Sequence, residues 1–231
     1  MPMNWKPCLS LLAAILIAGQ AFAAGLAAPL TQAALPLKGA GPRPNRANFN
    51  QTEVSREARH VANWVVDSGD NRRMPFAIVD KREARVFVFN ANGMLRGAAP
   101  ALLGLAPGDD SVPGIGERKL SSILPEERTT PAGRFVAALD RNLQGKEILW
   151  VDYDAAISMH PVITGNVKEQ RAQRLATPTP LDNRISYGCI NVPAPFFAQV
   201  VSPAFTGTDG IVYVLPEGRP AREVFGSYDL D

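Results

Sequence analysis

Apolar positions recur at helical spacing only early in the chain. Val54, Ala58, Val61, Ala62 and Val65 predict a helix over 52–69, with Thr52 as its cap and Gly69 as its stop. From Phe76 the pattern changes. Phe76–Val79 and Arg85–Phe89 are apolar runs around the polar turn Asp80–Glu83. Asn90–Gly93 marks another turn, followed by an apolar run to Leu103. Arg134–Leu139, Glu147–Val151, Ala156–Met159 and Ile211–Leu215 read as further strands, and Ala194–Val201 as a short helix. The prediction is a mostly antiparallel β domain with a few helices over about 73–216, with a tail at 217–231. No internal repeat and no second domain is visible.

The first residues follow a different logic. Lys6 gives a positive start, Leu9–Ala18 an apolar stretch, and Ala21-Phe22-Ala23 the small-large-small pattern of a cleavage site. Residues 1–23 are therefore expected to be a secretory signal cut after Ala23. The apolar stretch is short for a membrane span, which needs roughly 20 residues, so no integral span is expected after cleavage. Cys8 precedes the apolar stretch, which argues against lipidation. Residues 24–51, rich in Ala, Pro and Gly, read as a flexible linker. The expected location is the periplasm or cell envelope.

Composition narrows the partners. Among 231 residues, 20 prolines and 19 glycines favour a loop-rich, strand-rich domain. A net charge of +2 with no basic stripe does not point to nucleic acid. One cysteine and two histidines beyond Cys8 are too few soft ligands for a closed zinc site, and no phosphate-cradling glycine loop is present. No metal or cofactor is expected.

Once the signal is removed, Cys189 is the sole cysteine. It is reactive, paired between chains, or buried and inert. A cysteine attacks a carbonyl as thiolate, and its free pKa of about 8.5 must be lowered by a base or a helix start. His160 closes the apolar segment Ile157-Ser158-Met159 and is followed by Pro161, a good place to present a base. His60 lies on the early helix, which reads as an arm separable from the β domain. Gly188, just before the cysteine, would let the backbone approach a substrate. Pro193 and Pro195 suggest a helix opening after it.

Ser186-Tyr187-Gly188-Cys189-Ile190-Asn191, with His160 upstream, resembles the signature of the L,D-transpeptidases, the YkuD-type family. Thr130-Pro131-Ala132-Gly133-Arg134-Phe135 resembles the family's Thr-Pro-x-Gly-x-Phe segment, and the order of the motifs is the family's. The resemblance covers about Arg73–Pro216. It implies a β-sandwich or barrel-like domain and a thioester mechanism on peptidoglycan peptide stems, for cell-wall crosslinking or remodelling. Cys189 would be the nucleophile and His160 its base, with the ring oriented by the Pro161 carbonyl. The N–H groups of Gly188 and Cys189 would form the oxyanion hole. Ser186 and Asn191 would steady the turn or the stem, and Arg184 would meet a stem carboxylate. Thr130 and Gly133 would shape the sheet.

Two departures stand out. Tyr187 occupies the position of a second family histidine. The gap from His160 to Ser186 is 186 − 160 = 26 positions, longer than usual, and the insert Gly165–Arg184 carries Lys168, Arg171, Arg174 and Arg184. The insert reads as a lid or rim over the cleft. The alternatives are hydrolysis by a carboxypeptidase or amidase, and a non-catalytic wall-binding module. A carbapenem adduct at Cys189 would separate the enzyme from the binder. A dimer on non-reducing electrophoresis would mark an intermolecular disulfide.

Overall fold

The structure is a computed structural model and describes residues 45–230. The expected signal, and the linker up to residue 44, lie outside the described residues. Strands β1 (Phe76–Asp80), β2 (Arg85–Phe89), β3 (Leu95–Pro100), β5 (Gly133–Arg141), β6 (Glu147–Asp152), β7 (Ile157–Pro161), β9 (Ile190–Val192) and β10 (Gly210–Val214) form one sheet. Its order is β3-β2-β1-β10-β5-β6-β7-β9. The short strands β4 (Leu103–Gly104) and β8 (Arg184–Ser186) pair separately. Most pairings are antiparallel, while β1–β10, β7–β9 and β4–β8 are parallel.

The sheet curls until its ends meet. Beyond β3, Leu102 exchanges backbone hydrogen bonds of 2.8 and 2.9 Å with Asn191 in β9. Side chains alternate between the two faces of a strand. Val79, Val86, Val88, Leu149, Met159, Ile190 and Val212 point inward to one apolar cluster. The helical turns α3 (Ala194–Phe196), Phe197–Val201 and α4 (Ser202–Phe205) insert Phe197, Val201 and Phe205 into the same cluster. Each such buried side chain contributes about 1.5–3 kcal/mol.

The outward residues of β1, β2 and β10 (Phe76, Ile78, Phe87, Phe89, Ile211, Tyr213) form a second cluster under α1 (Arg56–Ser68) and α5 (Ala221–Phe225). This explains why β1 and β10 read as unbroken apolar runs: they are covered on both faces. Helix α1 starts later than expected. Ser55, not Thr52, caps it by accepting the Ala58 N–H at 3.1 Å, and Gly69 ends it in the left-handed region at φ 69°. Nor is the helix a separable arm. Ala58, Val61, Ala62 and Val65 are buried against the sheet, and Trp64 meets the Tyr213 ring edge-on at 6.2 Å. His60 shares a 3.0 Å contact with the Ser227 hydroxyl. Packing extends past both expected boundaries, since Phe49 abuts Phe89 at 5.3 Å and Phe225 stacks beside Trp64.

Candidate active site

The outer face of β6, β7 and β9 is not covered by α1. Parallel pairing sets Met159 beside Ile190 and His160 beside Asn191. With Met159 and Ile190 in the core, alternation puts Ser158, His160, Cys189 and Asn191 together on the outer face. Two residues that lie far apart in sequence thus become neighbours through strand register. The Cys189 Sγ is 3.7 Å from the Ser158 hydroxyl and 3.7 Å from the Ala156 carbonyl oxygen. The His160 ring, on the same face one strand away, is near enough to that sulfur for the two groups to shift each other's titration. Its Nδ1 is 2.8 Å from the Pro161 carbonyl oxygen. A carbonyl only accepts, so Nδ1 carries a proton and Nε2 is the nitrogen left for Cys189.

The two groups shift each other. Burial pushes the Cys189 thiol up. The hydrogen bond from His160, its positive charge and the Ser158 backbone and hydroxyl outweigh this and bring the thiol below its ordinary 9.0. Burial also disfavours the His160 imidazolium. Contact with Cys189 and the Pro161 carbonyl nevertheless holds it above its ordinary 6.5, with the Arg171 guanidinium pulling the other way. Each group thus favours the charged form of the other, and the two titrate as a coupled pair.

The turn before Cys189 is fastened on every side. The Gly188 N–H donates to Ser186 Oγ at 3.1 Å, and that hydroxyl donates to the Cys189 carbonyl at 2.7 Å. Asn191 Nδ2 donates to the same carbonyl at 3.1 Å, and Asn191 Oδ1 accepts from Arg171 at 2.8 Å. The Thr130 hydroxyl donates to the Gly188 carbonyl at 2.7 Å and accepts the Gly104 N–H at 2.9 Å. Thr130 thus holds the turn before Cys189, a role its reading as a sheet-shaping residue missed. Gly188 adopts φ +129°, and a Cβ there would come within 2.6 Å of Ile157 and 2.8 Å of the Thr129 carbonyl. Its small size serves packing against the Thr129 backbone rather than approach to a substrate. With its N–H committed to Ser186, Gly188 is not an oxyanion donor in this geometry.

Arg184 also departs from its expected place. Its guanidinium pairs with Glu217 and donates to the Lys81 carbonyl at 3.1 Å. Glu217 lies 3.7 Å from the fully buried Lys81 ammonium, which bonds Asp109 at 3.0 Å and the Thr130 carbonyl at 3.1 Å. Burial drives Lys81 down despite these carboxylates. Asp109 falls below the usual carboxylate range because backbone N–H groups of Glu217 and Gly218 and the Lys81 ammonium outweigh its burial. Arg184 belongs to this internal network, which anchors the strand leading to the cysteine turn.

In the insert, a single tight helical turn (Val167–Glu169) and α2 (Arg171–Ala176) fold back on the site. Arg174 bonds the backbone of Glu169 and Asp182, and Arg171 reaches Asn191, while Lys168 is exposed. Tyr187 lies with its ring 3.9 Å from the Arg128 guanidinium. Tyr187 and Cys189 line an enclosed cavity of about 70 Å³ beneath the 111–123 segment. Ser158 and His160 line an open groove of about 780 Å³. Cys189 and His160 thus stand between a small chamber and a large groove. Among the described residues, no group of three or more His, Cys, Asp or Glu side chains is placed to hold a metal.

No protein-family model matches this chain, and no curated protein does. Solved structures of L,D-transpeptidases are similar to it. LD transpeptidase LdtMt1, solved with imipenem, shares 17% identity over 61% of this chain and 58% of its own, with a TM-score of 0.37. The helical cell shape determining protein Pgp2 from Campylobacter jejuni shares 14% over 64% of this chain and 49% of its own, at 0.40. The catalytic domain of the E. faecium L,D-transpeptidase shares 15% over 62% of this chain and 98% of its own, at 0.35. The first two matches span 58% and 49% of those longer proteins. Among the described residues, no helix is long and apolar enough to cross a membrane.

Proposed function

We propose that the chain is a cysteine-dependent L,D-transpeptidase of the cell envelope, acting on peptidoglycan peptide stems through a thioester. The observation that carries this is the Cys189 thiol beside an imidazole whose other nitrogen is locked onto Pro161. His160 takes the thiol proton on Nε2. The thiolate attacks the carbonyl of the third stem residue, and the oxyanion is met by the Cys189 N–H, since that of Gly188 is held by Ser186. Collapse expels the terminal D-alanine, whose nitrogen takes the proton from His160. An amine of a second stem gives a proton back to His160 as it displaces the sulfur. The bond energy is kept in the thioester, so no nucleotide is consumed.

Incubation of the purified protein with disaccharide-tetrapeptide, read by mass spectrometry, tests the reading. Crosslinked dimers that vanish in Cys189→Ala support it, and trimmed monomers alone mean hydrolysis. A carbapenem is expected to add its mass at Cys189. Neither turnover nor adduct would leave a wall-binding module.

A further inference from the structure

We propose that the groove beside His160, lined by Trp150 with Tyr153 stacked on it at the margin, is a saccharide subsite in which these two rings receive the sugar that carries the stem peptide. The inference rests on the transferase reading above and adds where the rest of the donor lies. Trp150 and Tyr153 stack on each other with centroids 5.0 Å apart and planes at 23°. Neither ring belongs to an apolar cluster, and Tyr153 is 59% exposed. Trp150 is half-buried and Tyr153 exposed, so the pair presents an aromatic surface to solvent outside both apolar clusters.

Its position fits a ruler. Trp150 pairs with Ser158 across β6 and β7, and the Ser158 hydroxyl touches the Cys189 sulfur. The rings therefore rise from a row about two strand spacings, roughly 10 Å, from the thiol. A stem acylated at its third residue has three residues between the reacting carbonyl and its sugar, a reach of about 10 Å. With the carbonyl on Cys189, the sugar falls on this row.

The groove has matching chemistry. Trp150 lines it together with the β5–β6 hairpin residues Asn142, Gln144, Lys146 and Glu147. The Gln144 amide and Lys146 ammonium have no intramolecular partner, whereas Asn142 is tied to its own turn and Glu147 to Ser202. A pyranose offers C–H faces to an aromatic ring and hydroxyl or acetamido groups to such polar side chains. A bare peptide would leave the rings unused.

Two donors separate the ideas: a tetrapeptide stem alone, and the same stem on its disaccharide. The native protein is expected to show a lower KM for the sugar-bearing donor. Trp150→Ala and the exposed Tyr153→Ala are expected to raise that KM about tenfold, with kcat and the bare-stem KM unchanged. Equal KM values for both donors in the native protein, or parallel losses for both in the variants, would overturn the subsite. Calorimetric binding of the sugar-bearing stem to Cys189→Ala reads the subsite without turnover. Binding weakened by Trp150→Ala would uphold the subsite even if the transferase reading failed, and absence of binding would sink it.

Discussion

Replacing Thr130 with valine removes a single oxygen and tests how the turn before Cys189 is held. The residue is fully buried, and its hydroxyl joins the Gly104 N–H to the Gly188 carbonyl at 2.9 and 2.7 Å. Valine keeps the shape and deletes both bonds. Each bond contributes about 1 kcal/mol net, and a buried group left without a partner costs about 1–3 kcal/mol. Partial relaxation brings the expected loss to about 2–4 kcal/mol, within the ~5–15 kcal/mol by which such domains are stable. The variant should still fold, with a lower denaturation midpoint and an unchanged denaturant slope. Carbapenem acylation of Cys189 should slow as well, because the Gly188 carbonyl is adjacent to the nucleophile. Thr130→Ser, which keeps the hydroxyl, should recover most of both. If Thr130→Val unfolds within about 0.5 kcal/mol of the native protein and acylates at the same rate, the hydroxyl does not hold the turn.

His160→Ala removes the largest influences that lower the thiol pKa, leaving Ser158 alone against the burial that raises it. Iodoacetamide alkylation of Cys189 should therefore slow at neutral pH, with its pH midpoint moved upward; an unmoved midpoint would uncouple the two groups. Arg184→Ala should lower stability by about 1–3 kcal/mol, because Glu217 loses a partner in a largely buried network, while KM for the stem holds. A raised KM with unchanged stability would return Arg184 to the substrate.

The strands most legible in the sequence are those buried on both faces. Phe76–Val79 and Ile211–Leu215 announce themselves because no position along them needs to be polar. Strands β8 and β9 were missed as strands because each has only three residues, too few for a period. The α1 cap was misplaced because Thr52 and Ser55 both carry a capping hydroxyl, and only the Ala58 N–H decides between them. Within the site, chemistry was more legible than contact. Cys189 and His160 stand out by rarity. Ser158 did not, although alternation with Ile157 and Met159 already puts it on the face of His160. Arg184 misled because its partner, Glu217, is distant in sequence and lies in what read as a tail. Thr130 was visible as a motif residue, but the carbonyl it holds could be seen only in three dimensions.

Asn191 has two duties: its backbone stitches the last strand to Leu102, and its side chain supports the Cys189 carbonyl. The seam of the barrel therefore runs through the candidate site. A chain that has not drawn its first and last strands together has neither the register that presents the imidazole nor the brace behind the sulfur. Its thiol would behave as an ordinary cysteine.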